Sequence, residues 1–294
     1  MTSGVAIHIE AAAVVKPAAD GALTDNLLIK ERRSKKVGAL PTKARLVLAA
    51  AQRCVGVSAA AIAAPESVGV SLGTLYGSMD VAEQCLQTAH ASGFGHVTPS
   101  WYATGLANAT TAIVASMHDL RGPNLTVLGY PAGIEAIIFG CRQILARRAR
   151  AMLAGGFDLA SDAYTARVRA APDFADAAAI HPGAGLVWLV EGGEPTANAT
   201  TIVGWSQGVI AEHAFARGEF GSLIESAAGG KLQRAPMVHV IRPGRRGLVD
   251  YLAATPVIHL IEDVVTAGKT GRHALIVKGF GPAVICLLLE KSSG

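Results

Sequence analysis

Charge and aromatic rings are both scarce in this chain. Of its 294 residues 16% are charged and 5% aromatic, whereas 51% are hydrophobic. So little charge leaves no long basic arm and no stripe of cations interleaved with aromatics, which sets nucleic-acid binding aside, and the net charge of +4 adds no strong field. Cysteine is also thin. Cys54, Cys85, Cys141 and Cys286 show neither the paired spacing of a metal site nor a disulfide framework, so neither metal nor cofactor is expected. The nine histidines are scattered with no i,i+4 pair, and glycine-rich pieces such as SVGVSLGTLYG lack phosphate-loop and dinucleotide patterns. Uninterrupted apolar runs are missing too, because Arg, Pro or Gly breaks every Ala-rich stretch before it could span a bilayer. The amino terminus lacks a charged start followed by an apolar run. The expectation is a cytoplasmic protein.

What is abundant is Ala, Val and Gly, arranged in alternating strand and helix patterns. Val5–Val15 reads as an apolar strand and Asn26–Leu40 as a solvated basic surface. Pro41 opens a helix over Thr42–Val55, its missing N–H costing nothing in the first turn. Ser67–Leu72 is a short buried strand and Asp80–Ser92 a helix. Next comes a helix into Arg121-Gly122-Pro123, a strand over Asn124–Leu128, a tight turn, and a second helix ending in arginines. Ala151–Leu153 reads as a strand closed by Gly155-Gly156. Ala184–Val190 and Thr201–Gly208 look like a pair of strands joined by a turn over residues 192–198. One helix is expected within Ala211–Gly230, a brief strand at Val238–Ile241, a helix over Leu248–Ala267 with a break or a late start at Pro256, and two last strands at His273–Val277 and Val284–Leu289. Strands alternate with helices throughout, so the class is α/β with layered helices and a mixed sheet.

Within this order, Asn108, Gly122-Pro123, Gly133 and Gly155-Gly156 stand at spacings that resemble the ketosynthase branch of the thiolase superfamily. HPGAGLVWLVEGGEPT is similar to that family's glycine-bearing strand, and HALIVKGFGPAVICLLLE to its gate hairpin. The resemblance covers most of the chain from Thr42 onward and is most specific over residues 98–160. It implies an α/β thiolase-like layered fold (α/β/α/β/α) with a shortened second half, as one domain over 1–294 with an N-terminal half, 1–183, and an abbreviated half, 184–294.

The departures are systematic. The elbow reads Leu128-Gly129-Tyr130-Pro131-Ala132-Gly133, one residue short and without the cysteine that takes the acyl chain in a condensing enzyme. Asp250-Tyr251 stands where a Gly-His is expected, His239 is the one histidine near a family catalytic position, Lys278 replaces the gate aromatic and Pro282 a glycine. Cys141, the nearest thiol, reads as a small core residue. No catalytic residue is therefore assigned.

The resemblance narrows to the chain-length factors, ketosynthase-like subunits without the nucleophile that pair with an active ketosynthase in type II polyketide systems. It implies a heterodimer acting with an acyl carrier protein, the silent subunit limiting chain length during decarboxylative condensation of malonyl-carrier units. Gly105, Leu106, Asn108, Ala109, Ala112, Ile113, Ser116, Gly129, Tyr130 and Pro131 would form the tunnel wall and partner interface. Arg147, Arg148 and Arg150 would dock the acidic carrier, although positive charge at a helix end also complements the helix dipole. Two other readings remain: a self-sufficient acyltransferase or decarboxylase using a noncanonical residue, and a degenerate scaffold that only stabilises its partner. Expressed alone, the chain is expected to be poorly soluble or to form a weak homodimer, because the apolar run over 104–128 would lie exposed.

Overall fold

The computed structural model describes residues 6–17, 40–57, 64–159, 161–177, 179–192, 199–244, 249–267 and 269–293. Nine strands form one hydrogen-bonded sheet in the order β3-β2-β4-β6-β1-β7-β11-β10-β8. They are β1 (Ala6–Val15), β2 (Val68–Thr74), β3 (Asn124–Leu128), β4 (Ala151–Asp158), β6 (Gly183–Gly192), β7 (Thr200–Val209), β8 (Met237–Ile241), β10 (Gly271–Lys278) and β11 (Ala283–Lys291). A separate two-stranded ladder joins β5 (Ala179–Ile180) to β9 (Val249–Asp250).

The pairings repeat. In the first half β2 is parallel to β4, β4 antiparallel to β6, and β6 antiparallel to β1. In the second half β8 is parallel to β10, β10 antiparallel to β11, and β11 antiparallel to β7. The halves meet where β1 pairs antiparallel with β7 through Ile7–Ile9. Beyond β2 the first half has β3, in parallel register from Val70↔Asn124 to Thr74↔Leu128. Among the described residues the second half has no counterpart outside β8.

Two sheet halves need helices on both faces, because each strand buries alternate residues on opposite sides. The inner faces carry Met152, Val187 and Leu189 in one half and Leu275, Val277, Leu287 and Leu289 in the other. Between them lie α5 (Ala132–Leu145) and α9 (Thr255–His259), the latter running on into a π-helical stretch over Leu260–Thr266. Helix α5 buries Ile134, Ile137, Ile138 and Ile144, each contributing about 1.5–3 kcal/mol of apolar burial. The outer face of the first half, with Val70, Leu153, Leu186 and Trp188, is covered by α1 (Thr42–Val57) and α4 (Ala109–Met117). The outer face of the second half, with Ala274, Ile276, Cys286 and Leu288, is covered by α7 (Glu212–Ala216) and α8 (Gly221–Ala228). Five layers result, as the α/β/α/β/α expectation requires. The remaining helices are α2 (Met79–Ser92), α3 (Pro99–Thr104) and α6 (Asp162–Ala170).

One irregularity in β1 serves both layers. Its register with β6 slips between Ile9 and Ala11. Ile7 and Ile9 accordingly face the central helices, whereas Ala11, Ala13 and Val15 face α1. An extra residue in a strand inverts every side chain beyond it, so a single bulge lets β1 feed two cores.

Three local expectations change. The strands read at 184–190 and 201–208 do not pair with each other, because β1 is inserted between them. The strand expected to close at Gly155-Gly156 runs on to Asp158. A Cβ on Gly156 would sit 2.3 Å from the Ala253 carbonyl oxygen, so these glycines mark a close approach rather than an end. The stretch 211–230 holds two short helices instead of one, whereas the helix candidate over Leu248–Ala267 starts late, at Thr255 with Pro256 in its first turn, as that proline allows. The basic surface read within 26–40 and the turn at 193–198 lie outside the described residues, apart from Leu40.

Candidate functional site

The elbow stands where the sequence places it. Strand β3 ends at Leu128 and Gly129 takes φ +141°, a backbone conformation that side chains rarely adopt. Pro131 then caps α5. The turn points Tyr130 inward, and its side chain is fully buried. The hydroxyl lies 3.1 Å from Asp250 Oδ2 and 3.1 Å from the Arg242 carbonyl oxygen, able to donate to either.

Asp250 is the centre of this knot. Its Oδ2 also accepts from the Gly244 N–H at 2.9 Å, while Oδ1 accepts from the Leu252 N–H at 2.7 Å and the Thr255 hydroxyl at 2.9 Å. Burial raises the Asp250 pKa, and these donors oppose the rise. Burial, with the adjacent Asp250 charge, pushes the Tyr130 phenol well above its ordinary value. The phenol therefore stays protonated near neutral pH.

Aromatic packing closes the elbow from above. Tyr130, Phe174 and Phe280 form a three-ring cluster with centroids 5.9–6.1 Å apart, in edge-to-face geometry. Phe280 comes from the gate-like hairpin, whose Gly279 faces the Pro131 ring. The departing Lys278 turns away, pairing with Glu212 and lying 5.1 Å over the Phe215 ring. Hairpin and elbow, 150 residues apart in sequence, thus meet.

A second buried carboxylate secures the layer beneath. Asp158, at the end of β4, accepts from the Thr74 hydroxyl at 2.6 Å and from the N–H groups of Leu75, Tyr76 and Ala253 at 2.8, 3.2 and 2.9 Å. Burial raises its pKa to about 6 against those four donors. Together Asp158 and Asp250 hold the turn Leu252–Ala254, where Leu252 has φ +55°.

No thiol or imidazole among the described residues reaches the Tyr130 hydroxyl. Cys141 is fully buried and its pKa is pushed up to about 12, as is that of Cys54 and Cys286, so none is a ready thiolate. His239 is engaged elsewhere. The buried His273 donates from Nε2 to the Lys269 carbonyl and accepts at Nδ1 from His239 Nε2, 3.0 Å away. Burial lowers both imidazole pKa values, which keeps the pair neutral. In the pair Asp250-Tyr251 it is the aspartate that meets the elbow, while the Tyr251 ring packs beside His181. Sequence reasoning passed over two G-x-S-x-G patterns, Gly69–Gly73 and Gly204–Gly208. Both lie within extended strands, where Ser71 donates to the Ala136 carbonyl and Ser206 to that of Leu223, so neither forms a nucleophile elbow.

The wall residues divide into two groups. Ala109, Ala112, Ile113 and Ser116 on α4 line a hollow of about 390 Å³ together with Leu40, Ala103, Thr104 and Met117. Gly105, Leu106 and Asn108 do not line it. Gly105 caps α3, Asn108 precedes α4, and Leu106 stands 60% exposed with its carbonyl accepting from the Ser78 hydroxyl. A Thr111–Thr126 hydroxyl bond of 2.6 Å ties α4 to β3. Large exposed apolar side chains are frequent on these elements: Leu86, Phe94, Tyr102, Leu106, Met117 and Leu128 lie on α2–α4, the turns between them, or the edge strand β3. Arg147, Arg148 and Arg150 are exposed at the opposite end of α5, about 20 Å along the helix from the elbow. Among the described residues no group of three or more His, Cys, Asp or Glu side chains could hold a metal ion, and no helix is long and apolar enough to cross a membrane.

Residues 25–177, just over half the chain, match the family of beta-ketoacyl synthases, N-terminal domain. The chain belongs to that family. A 95-residue stretch, 32% of this chain, is 30% identical to the 3-oxoacyl-[acyl-carrier-protein] synthase 2 of Coxiella burnetii (strain RSA 493 / Nine Mile phase I) but spans only 23% of that protein. Solved structures extend the likeness to nearly the whole fold. The ishigamide ketosynthase/chain length factor superposes with a TM-score of 0.79 at 19% identity, over 98% of this chain and 100% of that one. A beta-ketoacyl synthase from Burkholderia phymatum STM815 gives 0.72 at 14%, over 98% and 100%. A ketosynthase in complex with its chain length factor from Xenorhabdus doucetiae gives 0.71 at 15%, over 99% and 100%. The fold is the thiolase-like ketosynthase fold.

Proposed function

We propose that this chain is a chain-length-factor-like subunit, silent on its own, that pairs with a catalytic ketosynthase and shapes the acyl tunnel while the partner condenses malonyl units delivered by an acyl carrier protein. The observation that carries the reading is the elbow itself. A ketosynthase fold holds a buried tyrosine there, hydrogen-bonded to a carboxylate, in place of an accessible thiol between imidazoles. Acyl transfer from a thioester needs a nucleophile that leaves and returns, and a phenol kept protonated beside Asp250 does not supply one.

The exposed apolar side chains on α2–α4 and β3 support a protein partner at these elements, since exposed apolar surface is often covered in an assembly. The hollow on α4 is lined almost wholly by apolar or small side chains, which suits an alkyl chain or a partner's side chain. Arg147, Arg148 and Arg150 stay in the proposal as a carrier-docking patch, tested by the salt dependence of carrier association. The deciding experiment is co-expression with a type II ketosynthase that retains its cysteine. A one-to-one complex is expected by native mass spectrometry, with products shortened by Ala112→Phe and lengthened by Ile113→Gly. Complex formation with product length unmoved by both variants would leave only the scaffold role.

A further inference from the structure

Among the described residues strand β8 ends the sheet, and a cavity of about 770 Å³ runs along its outer side. Val238, His239, Val240, Ile241 and Arg242 line it in unbroken succession. Side chains of a strand alternate between faces, so a cavity that touches five consecutive residues follows the strand's edge rather than one of its faces. Among the described residues β8 pairs with β10 alone, in parallel, which leaves alternate N–H and C=O groups directed into this groove over about 16 Å.

The internal repeat of the sheet says what belongs there. In the first half the equivalent place, outside β2, is filled by β3, which lies parallel to β2. There the chain uses residues 75–123 to bring β3 back, whereas residues 242–248 alone connect β8 to β9, too few to return a parallel strand. The groove's walls set the pattern of its occupant. Val238 and Val240 face the Phe215 and Phe220 side, while His239 and Ile241 face the His259 and Asp263 side.

We propose that the β8 groove receives an extended segment of a partner protein as a parallel tenth strand. Alternate apolar residues of the segment pack on Phe215 and Phe220, and hydroxyl or amide side chains face the His259–Asp263 pair. A carboxylate at the segment's end meets Arg242, an exposed cation at the end of the groove. The site lies on the second half of the sheet, away from α4, and holds or fails independently of any chain-length role.

The probe is the acetylated peptide PNLTVLGY with a free C-terminal carboxylate, this chain's own residues 123–130, which carry the alternation of β3. Hydrogen exchange on the full chain should show fast amides in Met237–Ile241 that slow on peptide addition, with no change in Val68–Thr74. Val238→Lys, which places a charge on the exposed edge, should weaken peptide binding at least about tenfold with the thermal midpoint kept. Amides of β8 as slow as those of β10 without peptide would overturn the proposal, as would peptide protection appearing on β2 instead. Slowing of β8 that instead rises with protein concentration would assign the edge to a second copy of this chain and refute the partner segment.

Discussion

Replacing Tyr130 with phenylalanine removes one oxygen from the best-packed point of the site, and its cost follows from the hydrogen bonds around it. In the parent protein the hydroxyl serves either Asp250 Oδ2 or the Arg242 carbonyl, both within 3.1 Å. After the change Asp250 keeps Gly244, Leu252 and Thr255, but Oδ2 loses one donor and the Arg242 carbonyl loses its side-chain partner. A buried acceptor left short costs about 1–3 kcal/mol, toward the upper end where it is charged. For a chain of this size each kcal/mol moves the melting midpoint by about 2–4 °C, so a fall of roughly 2–12 °C is expected by calorimetry. The ring cluster with Phe174 and Phe280 survives, so the fold persists. A companion variant, Tyr130→Cys, tests the chemistry. Its thiol would sit beside the Asp250 carboxylate in a buried site, where both burial and charge raise a thiol pKa. No acyl adduct should form on incubation with acyl thioesters. An unshifted midpoint for Tyr130→Phe together with rapid acylation of Tyr130→Cys would refute the picture of a plugged, hydrogen-bonded elbow.

Other outcomes follow from the same geometry. Because burial holds the Asp158 pKa near 6 against an unfolded value near 3.9, the folded state binds a proton more tightly. Its contribution to stability therefore falls as pH rises from about 4 to 6, by up to about 3 kcal/mol, and is flat above; urea titrations should show a steeper fall over that range in the parent than in Asp158→Asn, where Asp250 still contributes. Gly156→Ala should destabilise strongly or prevent folding, since the new Cβ meets the Ala253 carbonyl oxygen at 2.3 Å, and a parent-like melt would contradict that approach. Cys141 should resist iodoacetamide in the folded chain and react only on unfolding, as peptide mapping can follow.

Much of the fold was legible because its signals are local. Asn124–Leu128 is a strand over the very residues read from the sequence, and Pro41 precedes its helix as the missing N–H allows. What stayed hidden depends on distant partners. The insertion of β1 between β6 and β7 leaves no mark in either strand, and the Gly155-Gly156 pair reads as a stop until the Ala253 carbonyl is seen against it. At the site, the absence of a cysteine at the elbow could be read directly, but the direction of Tyr130 could not. Nor could the choice of Asp250 over Tyr251 as its partner, because that is decided by the turn over Leu252–Ala254. Four of the wall residues read from sequence meet around one hollow on α4, whereas Gly105, Leu106 and Asn108 precede that helix and fall outside it.

The central claim is that acyl chains are carried by a partner and never by this polypeptide. Intact-mass spectrometry of the purified chain, alone and in complex with a cysteine-bearing ketosynthase after incubation with acyl-carrier thioesters, tests it most directly. The account predicts an acyl increment on the ketosynthase only, with this chain's mass unchanged in both samples. An acyl increment on the isolated chain, lost on hydroxylamine treatment, would contradict it.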